Sequence, residues 1–448
     1  MIRQLPFLYF KAPASFQFTL ILLVVMLIGC GGNQPYKLDL MPAPHIFEGG
    51  DDALFSDTSP LDPDGTIDVM YATDREPVDE ADKTPFYRNQ RGYLLRMGEG
   101  TIKLGKGEMS WEELQRISLL KNRTDKLPLQ VVAVEEHSIL PESVSELDSP
   151  ALRAQIAKAP ASRFASMINA KLASSSSKDI YIYVSGFKVN FENPLIVTSE
   201  LWHYLGYQGV FIAFAWPSTP SLWAYASDLE TAAVSARNLR LLLQFLAEET
   251  VANEIHLVGY SAGTRLVADA LNELALIHSG KDQQAIQEQL RIGHVILVGS
   301  DLDIGLFGNM FLNGILNVSR SMSIYVSTGD QALGFSRWLF ARSRLGQLEK
   351  GKEFEPHEVE LLLQLEDLHF IDVTDAEGAM SGNGHAYFRK SPWASSDILV
   401  TLMYDLSPEG RGLTRAQGQP VWTFPPDYIT TLKSILADLN PALSSLND

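Results

Sequence analysis

Short apolar runs without alternation, separated by stretches of helical period, fill the middle of the chain. Ile180–Val184, Val210–Trp216, Glu254–Val258, Val295–Val298, Ser323–Val326 and Phe370–Val373 read as strands buried on both faces. Helices are expected over Ser162–Leu172, over Ala226–Glu248 and near 332–343. After Val258, residues Ala262, Leu266, Val267, Ala270, Leu271 and Leu274 recur at helical spacing. Strand and helix in alternation predict an α/β fold with a mostly parallel central sheet covered by helices on both faces. Before residue 150 the pattern differs. Thr66–Thr73 alternates as a strand should. Tyr93–Met97 and Thr101–Leu104 flank Gly98-Glu99-Gly100 as a hairpin would, with a helix near Trp111–Leu120 and a strand near Val131–Ser138. The acidic segment Glu349–Asp367 suits a solvated helix, and a helix near Ile429–Leu439 closes the pattern. The expected body is therefore 65–448, with antiparallel N-terminal strands over 65–150, a core over 150–405, and a tail with its helix over 406–448.

The first residues carry a different signal. Arg3 and Lys11 precede an apolar run from Thr19 to Ile28, then Gly29-Cys30. Positive flank, apolar stretch and small residue are the parts of a secretory signal, here 1–29, and the run is too short for an ordinary membrane-spanning helix. Leu27-Ile28-Gly29-Cys30 resembles a bacterial lipobox, in which Cys30 receives a diacylglyceryl group and becomes the first residue. Cys30 is the only cysteine of the 448 residues, so an exported form has no disulfide. Residues 30–64, rich in Gly, Pro and Asp, read as a tether. Gly31 is not the aspartate that retains such proteins at the inner membrane, so the expected location is the outer membrane of a bacterial envelope, facing the periplasm.

Charge narrows the partners. The formal net charge is −18, and loss of Arg3 and Lys11 leaves 34 basic against 54 acidic residues, or −20. Such a surface argues against nucleic acid and against electrostatic docking on anionic lipid heads. Attachment to a membrane is expected through acyl chains at Cys30.

The chemistry gathers around Gly259-Tyr260-Ser261-Ala262-Gly263. This G-x-S-x-G sits between a strand and a helix, the context of a nucleophile elbow, which exposes the serine hydroxyl on a tight turn. The N–H of Ala262 then faces a developing oxyanion. A serine hydroxyl needs a base beside it and an acid to orient that base. In α/β-hydrolases these follow in the order serine, acid, histidine, at the carboxyl ends of later strands. Five histidines follow the elbow. His278 ends the elbow helix, His294 precedes a strand, His357 lies in the acidic helix, and His369 starts a strand. His385, in Gly382-Asn383-Gly384-His385-Ala386, lies beyond that strand and is the candidate base. Two loops offer an acid. Asp330 follows the strand after next from the elbow and is preferred. Asp301 is the alternative, with a structural pairing to Arg265 as its other possible role. Helix capping is the plain alternative for these aspartates and for Asp303. The second oxyanion donor is the N–H of Phe187 in Ser185-Gly186-Phe187, and Trp216 either lines a wall or sits in the core. No metal or cofactor is implied.

From Ile180 to about Phe388 the chain resembles the DUF900 family of bacterial α/β-hydrolases of unknown function, many of them exported. The matching pieces are Gly186–Phe191, Phe214–Ser218, Gly259–Arg265, Ser300–Asp303, Tyr325–Leu333 and Gly384–Tyr387, with Tyr71–Arg75 resembling the strand that opens such domains. Two positions depart. The family usually has His where Ser185 stands, which implies a looser oxyanion loop. It commonly has His-Ser-Met-Gly where this chain has Tyr260–Gly263.

These readings converge on a lipid-anchored serine hydrolase, esterase-like, that acts on an acyl substrate through an acyl-enzyme. A peptidase or acyltransferase on the same triad differs only in leaving group or acceptor. The alternative from another class is a non-catalytic envelope lipoprotein that uses the fold as a binding or scaffolding module.

Overall fold

Successive side chains of the central strands point to opposite faces, and here both faces are dry. Ile180, Ile182 and Val184 pack with Ile255 and Leu257 beneath the helices Ala161–Ser174, Tyr225–Glu249 and Gly263–Ile277. Tyr181 and Tyr183 pack with Phe211, Ala213 and Val258 on the other side, under Glu192–Tyr204, Pro392–Tyr404 and Tyr428–Leu439. A strand covered on both faces needs no polar alternation, which is why these segments are continuously apolar. The computed structural model describes residues 36–47, 59–79, 85–105, 109–120, 122–144, 150–156, 160–331, 333, 344–346, 356–382 and 384–439. The expected signal segment, Cys30, and the helix near 332–343 (Leu333 excepted) lie outside them.

Among the described residues one sheet holds eleven strands. They are β1 (Leu38–Asp39), β2 (Thr66–Pro77), β3 (Tyr87–Leu104), β4 (Pro128–Ile139), β5 (Ile180–Val184), β6 (Val210–Phe214), β7 (Ile255–Tyr260), β8 (Ile292–Val298), β9 (Ser319–Val326), β10 (Leu368–Asp372) and β11 (Val421–Thr423). Their order is β1-β4-β3-β2-β6-β5-β7-β8-β9-β10-β11. The pairs β1–β4, β4–β3 and β3–β2 are antiparallel. From β2–β6 onward every pair is parallel. The chain leaves β5 toward β6 on one side, then returns to β7 on the other. That reversal makes the carboxyl ends of β5 and β7 a topological switch point, the position where open α/β sheets bind ligands.

Two expectations are corrected. The hairpin about Gly98-Glu99-Gly100 is absent, and those residues continue β3 without a turn. The glycines make room: a Cβ at Gly98 would lie 2.1 Å from Glu135 O and 2.7 Å from the Tyr71 hydroxyl, and one at Gly100 2.4 Å from Leu195 Cδ2. Part of the stretch 30–64, expected as a tether, also belongs to the body. Leu38 and Asp39 pair with Leu129 and Pro128, the Met41 N–H donates to Glu200 Oε1 at 2.8 Å, and Met41, Ile46 and Phe47 are buried. Three apolar side chains outweigh the turn-forming residues around them and dock this stretch on the body.

Candidate functional site

Ser261 follows β7 with φ +53°, a left-handed backbone that a residue with a Cβ adopts only under constraint. Its N–H donates to Val298 O at 2.9 Å, and its carbonyl accepts from the Thr264 N–H at 3.0 Å and the Thr264 hydroxyl at 2.6 Å. Ser261 is thereby tied to β8 on one side and to the first turn of the elbow helix Gly263–Ile277 on the other. These bonds hold the strained turn, and the turn presents the Oγ.

His385 comes from the loop after β10. Its Nε2 lies 2.8 Å from Ser261 Oγ and its Nδ1 lies 2.6 Å from Asp330 Oδ2. A carboxylate accepts at Nδ1, so that nitrogen carries the proton and the Nε2 lone pair is left to accept from the serine hydroxyl. All three residues are buried, at 6 % exposure for Ser261, 1 % for Asp330 and 8 % for His385. Asp330 also accepts the Leu333 N–H on Oδ1 at 3.0 Å, so it fills the capping role as well as facing the imidazole. The His385 ring packs on Gly299, whose φ is +56° and where a Cβ would sit 3.1 Å from His385 Cε1. Tyr387 locks the same loop: its hydroxyl accepts the Gly299 N–H at 2.6 Å and donates to Tyr325 O at 2.8 Å. The ring of Tyr260 packs against the imidazole with centroids 5.1 Å apart.

Asp301 lies at the same sheet edge with other partners. It accepts from the Tyr225 hydroxyl, its Oδ2 lies 3.4 Å from Arg265 Nε, and its Oδ1 lies 3.5 Å from Arg344 Nε. The alternative acid is thus held in an ion-pair cluster that includes Arg265, while both ring nitrogens of His385 have other partners. Trp216 does not line a wall. It is fully buried, and its indole N–H donates to Ser185 O at 2.7 Å.

The N–H groups of Phe187 and Ala262 stand at the ends of β5 and β7, adjacent strands paired at Val184 and Gly259. Neither has a hydrogen-bond partner among the described residues. Ala262 is the N-cap of the elbow helix, where the first N–H groups lack intrahelical acceptors and the helix dipole favours negative charge. The other histidines after the elbow sit elsewhere: His294 within β8, His369 within β10, His278 at the end of the elbow helix and His357 exposed on Pro356–Gln364. Among the described residues no cluster of three or more His, Cys, Asp or Glu side chains suits a metal ion. The contacts of Tyr387 and of Thr73 and Arg75 are not legible in the sequence, because their hydrogen bonds are long-range and leave no local pattern.

No match was found among curated proteins. A family model described as alpha/beta hydrolase of unknown function (DUF900) matches residues 161–402, which span β5 to β10 and all three residues of the Ser261–His385–Asp330 line. With more than half of its length matched and a largely parallel sheet of the corresponding kind, the chain belongs to the DUF900 family of α/β-hydrolases.

Proposed function

We propose that the protein is a serine hydrolase, esterase-like, with Ser261 as nucleophile, His385 as base and Asp330 as the acid that orients it. The reading rests on the unbroken line of hydrogen bonds from Ser261 Oγ through the His385 ring to Asp330, with steps of 2.8 and 2.6 Å. As Oγ attacks an acyl carbonyl, Nε2 takes its proton and the imidazolium forms against the Asp330 carboxylate. The oxygen that gains charge is received by the N–H groups of Phe187 and Ala262. Collapse expels the leaving group with the proton returned by Nε2, and leaves an acyl-enzyme on Ser261. Water, deprotonated by the same nitrogen, releases the acid. The substrate is an ester or related acyl compound.

A fluorophosphonate probe tests the reading. The native protein should be labelled at Ser261, and Ser261→Ala and His385→Ala should abolish labelling with the fold intact by circular dichroism. A folded native protein that stays unlabelled sinks it. A panel of p-nitrophenyl esters and aminoacyl amides then separates esterase from peptidase, and an added acceptor alcohol reveals acyl transfer.

The segment around Cys30 supports a second part of the proposal: an exported bacterial lipoprotein, cut before Cys30 and held by acyl chains in the envelope, facing the periplasm from the outer membrane. Palmitate incorporation in a bacterial host should appear in the native chain and vanish in Cys30→Ala. Incorporation that survives this change rules out the lipid anchor at Cys30.

A further inference from the structure

The stretch Tyr71–Arg75 lies on β2, outside the region that the family model matches, and the hydrolase reading gives it no task. Its side chains reach the site indirectly. Thr73 Oγ1 donates to Ala215 O at 2.6 Å and Arg75 Nε to the same oxygen at 3.3 Å, which ties the end of β6 to β2. Arg75 Nη2 then donates to Val189 O at 3.2 Å and to Ser218 O at 3.3 Å, while Nη1 donates to Asn89 Oδ1. A fully buried guanidinium that spends its donors on backbone carbonyls of separate loops holds those loops in fixed relation.

The loop between β5 and the helix Glu192–Tyr204 is gripped at both ends. At its start the Trp216 indole N–H donates to Ser185 O, and that oxygen rests so close to the elbow that a Cβ on Gly263 would lie 2.4 Å from it. At its far end the Val189 N–H donates to Ser218 Oγ at 3.2 Å, and the Val189 carbonyl takes Arg75. Between the two grips lie Gly186, Phe187 and Lys188. Lys188 is exposed yet has φ +67°, a conformation that persists only where the surroundings impose it.

Resting on the hydrolase reading, we infer that Trp216, Ser218 and Arg75 are positioning residues that clamp the loop 185–189 and hold the Phe187 N–H in place for the oxyanion before substrate arrives. The loop therefore needs no histidine at position 185, since the carbonyl there is fixed by the indole behind it. Such a clamp acts on the transition state. Ground-state binding gains little from it, because an oxyanion donor serves charge that develops only in the transition state.

Trp216→Phe keeps an aromatic ring, though a smaller one, and removes one hydrogen bond, and Ser218→Ala removes the other grip. Arg75→Met is unsuited to the test because so buried a cation anchors several elements at once. With a p-nitrophenyl ester, each of the two variants should lower kcat roughly 10-fold with KM unchanged, and the pair together roughly 100-fold, the scale of one misplaced oxyanion donor. Affinity for a phenylboronic acid, which forms a tetrahedral adduct on Ser261, should fall by the same factor as kcat. Variants that melt earlier but keep both kcat and boronate affinity overturn the clamp and leave a packing role only. A fall in kcat with boronate affinity unmoved overturns it equally. A native protein inert to ester and fluorophosphonate overturns the hydrolase reading first, and the clamp with it.

Discussion

Asp330 and Asp301 are buried carboxylates at one edge of the sheet, and their neighbours give them opposite tasks. Asp330 meets the His385 ring, whereas Asp301 meets Tyr225, Arg265 and Arg344. Asp330→Asn replaces an oxygen acceptor by an amide that can present N–H to Nδ1, which stabilises the wrong tautomer. The rate of fluorophosphonate labelling should drop by up to ~10⁴ with little change in melting temperature. Asp301→Asn removes a counter-charge shared by the buried Arg344 and the part-buried Arg265 and should cost about 3 kcal/mol of stability, read from urea midpoints, with a far smaller change in labelling rate. Interchanged outcomes would reverse the assignment. Chain order and strand ends were enough to bring His385 and both aspartates to this edge from sequence alone. Choosing between the aspartates was harder, because Tyr225 and Arg344 approach Asp301 through tertiary packing, and no local spacing records that.

Element boundaries were legible where one physical pattern dominated. β5 runs over Ile180–Val184 as its continuous apolar run requires, and the helix Tyr225–Glu249 matches its long period. Reading failed where a residue's usual meaning was overridden. Gly98-Glu99-Gly100 carries a turn's composition, yet it makes β3 smooth enough for Tyr71 and Leu195 to cross its faces. The helix Glu192–Tyr204 went unseen because it is buried on nearly every side, with Glu200 and His203 inside, so no polar face marks its period. These glycines make a prediction. A methyl at 98 meets the backbone oxygen of Glu135, which cannot withdraw without unpairing β3 and β4, so Gly98→Ala should cost on the order of 3 kcal/mol. At 100 it meets only the tip of Leu195, which can turn aside, and Gly100→Ala should cost about 1 kcal/mol or less. Equal urea midpoints for the two variants would remove the steric explanation. The docked N-terminal stretch is tested the same way. Phe47 is buried against Tyr204, with ring centroids 5.7 Å apart, and Phe47→Ala should lose about 3–5 kcal/mol if this stretch belongs to the body, or almost nothing if it is a free tether.

Across the whole molecule, burial of ionisable groups sets how stability follows pH. Burial lowers His203 and His294 to about 3 and His369 to about 4, with nearby arginines adding to the effect. Each is neutral in the fold and ordinary, near 6.5, in the unfolded chain. Below pH 6.5 the unfolded chain therefore takes up protons that the fold refuses, and stability falls as pH drops toward the folded values. Asp269 works in the opposite sense. Burial raises it to about 6, with Arg265 opposing, so its cost appears as pH rises from about 4 to about 6 and is full above that. His203 isolates the first effect. Its Nδ1 lies 2.8 Å from the Tyr207 hydroxyl, its Nε2 lies 2.8 Å from Ser118 Oγ, and Arg123 supplies the nearby positive charge that makes protonation still less favourable. His203→Gln loses a hydrogen bond at every pH but no longer titrates. It should be less stable than the native protein at pH 7.5, yet should lose roughly 2 kcal/mol less between pH 7.5 and pH 5, by urea midpoints at each pH. Comparing the two pH values within each protein removes the packing cost common to both, so the difference that remains is the proton alone. If native and variant fall in parallel, His203 takes up its proton in the fold as readily as in the unfolded chain, and the acid sensitivity must come from the remaining histidines.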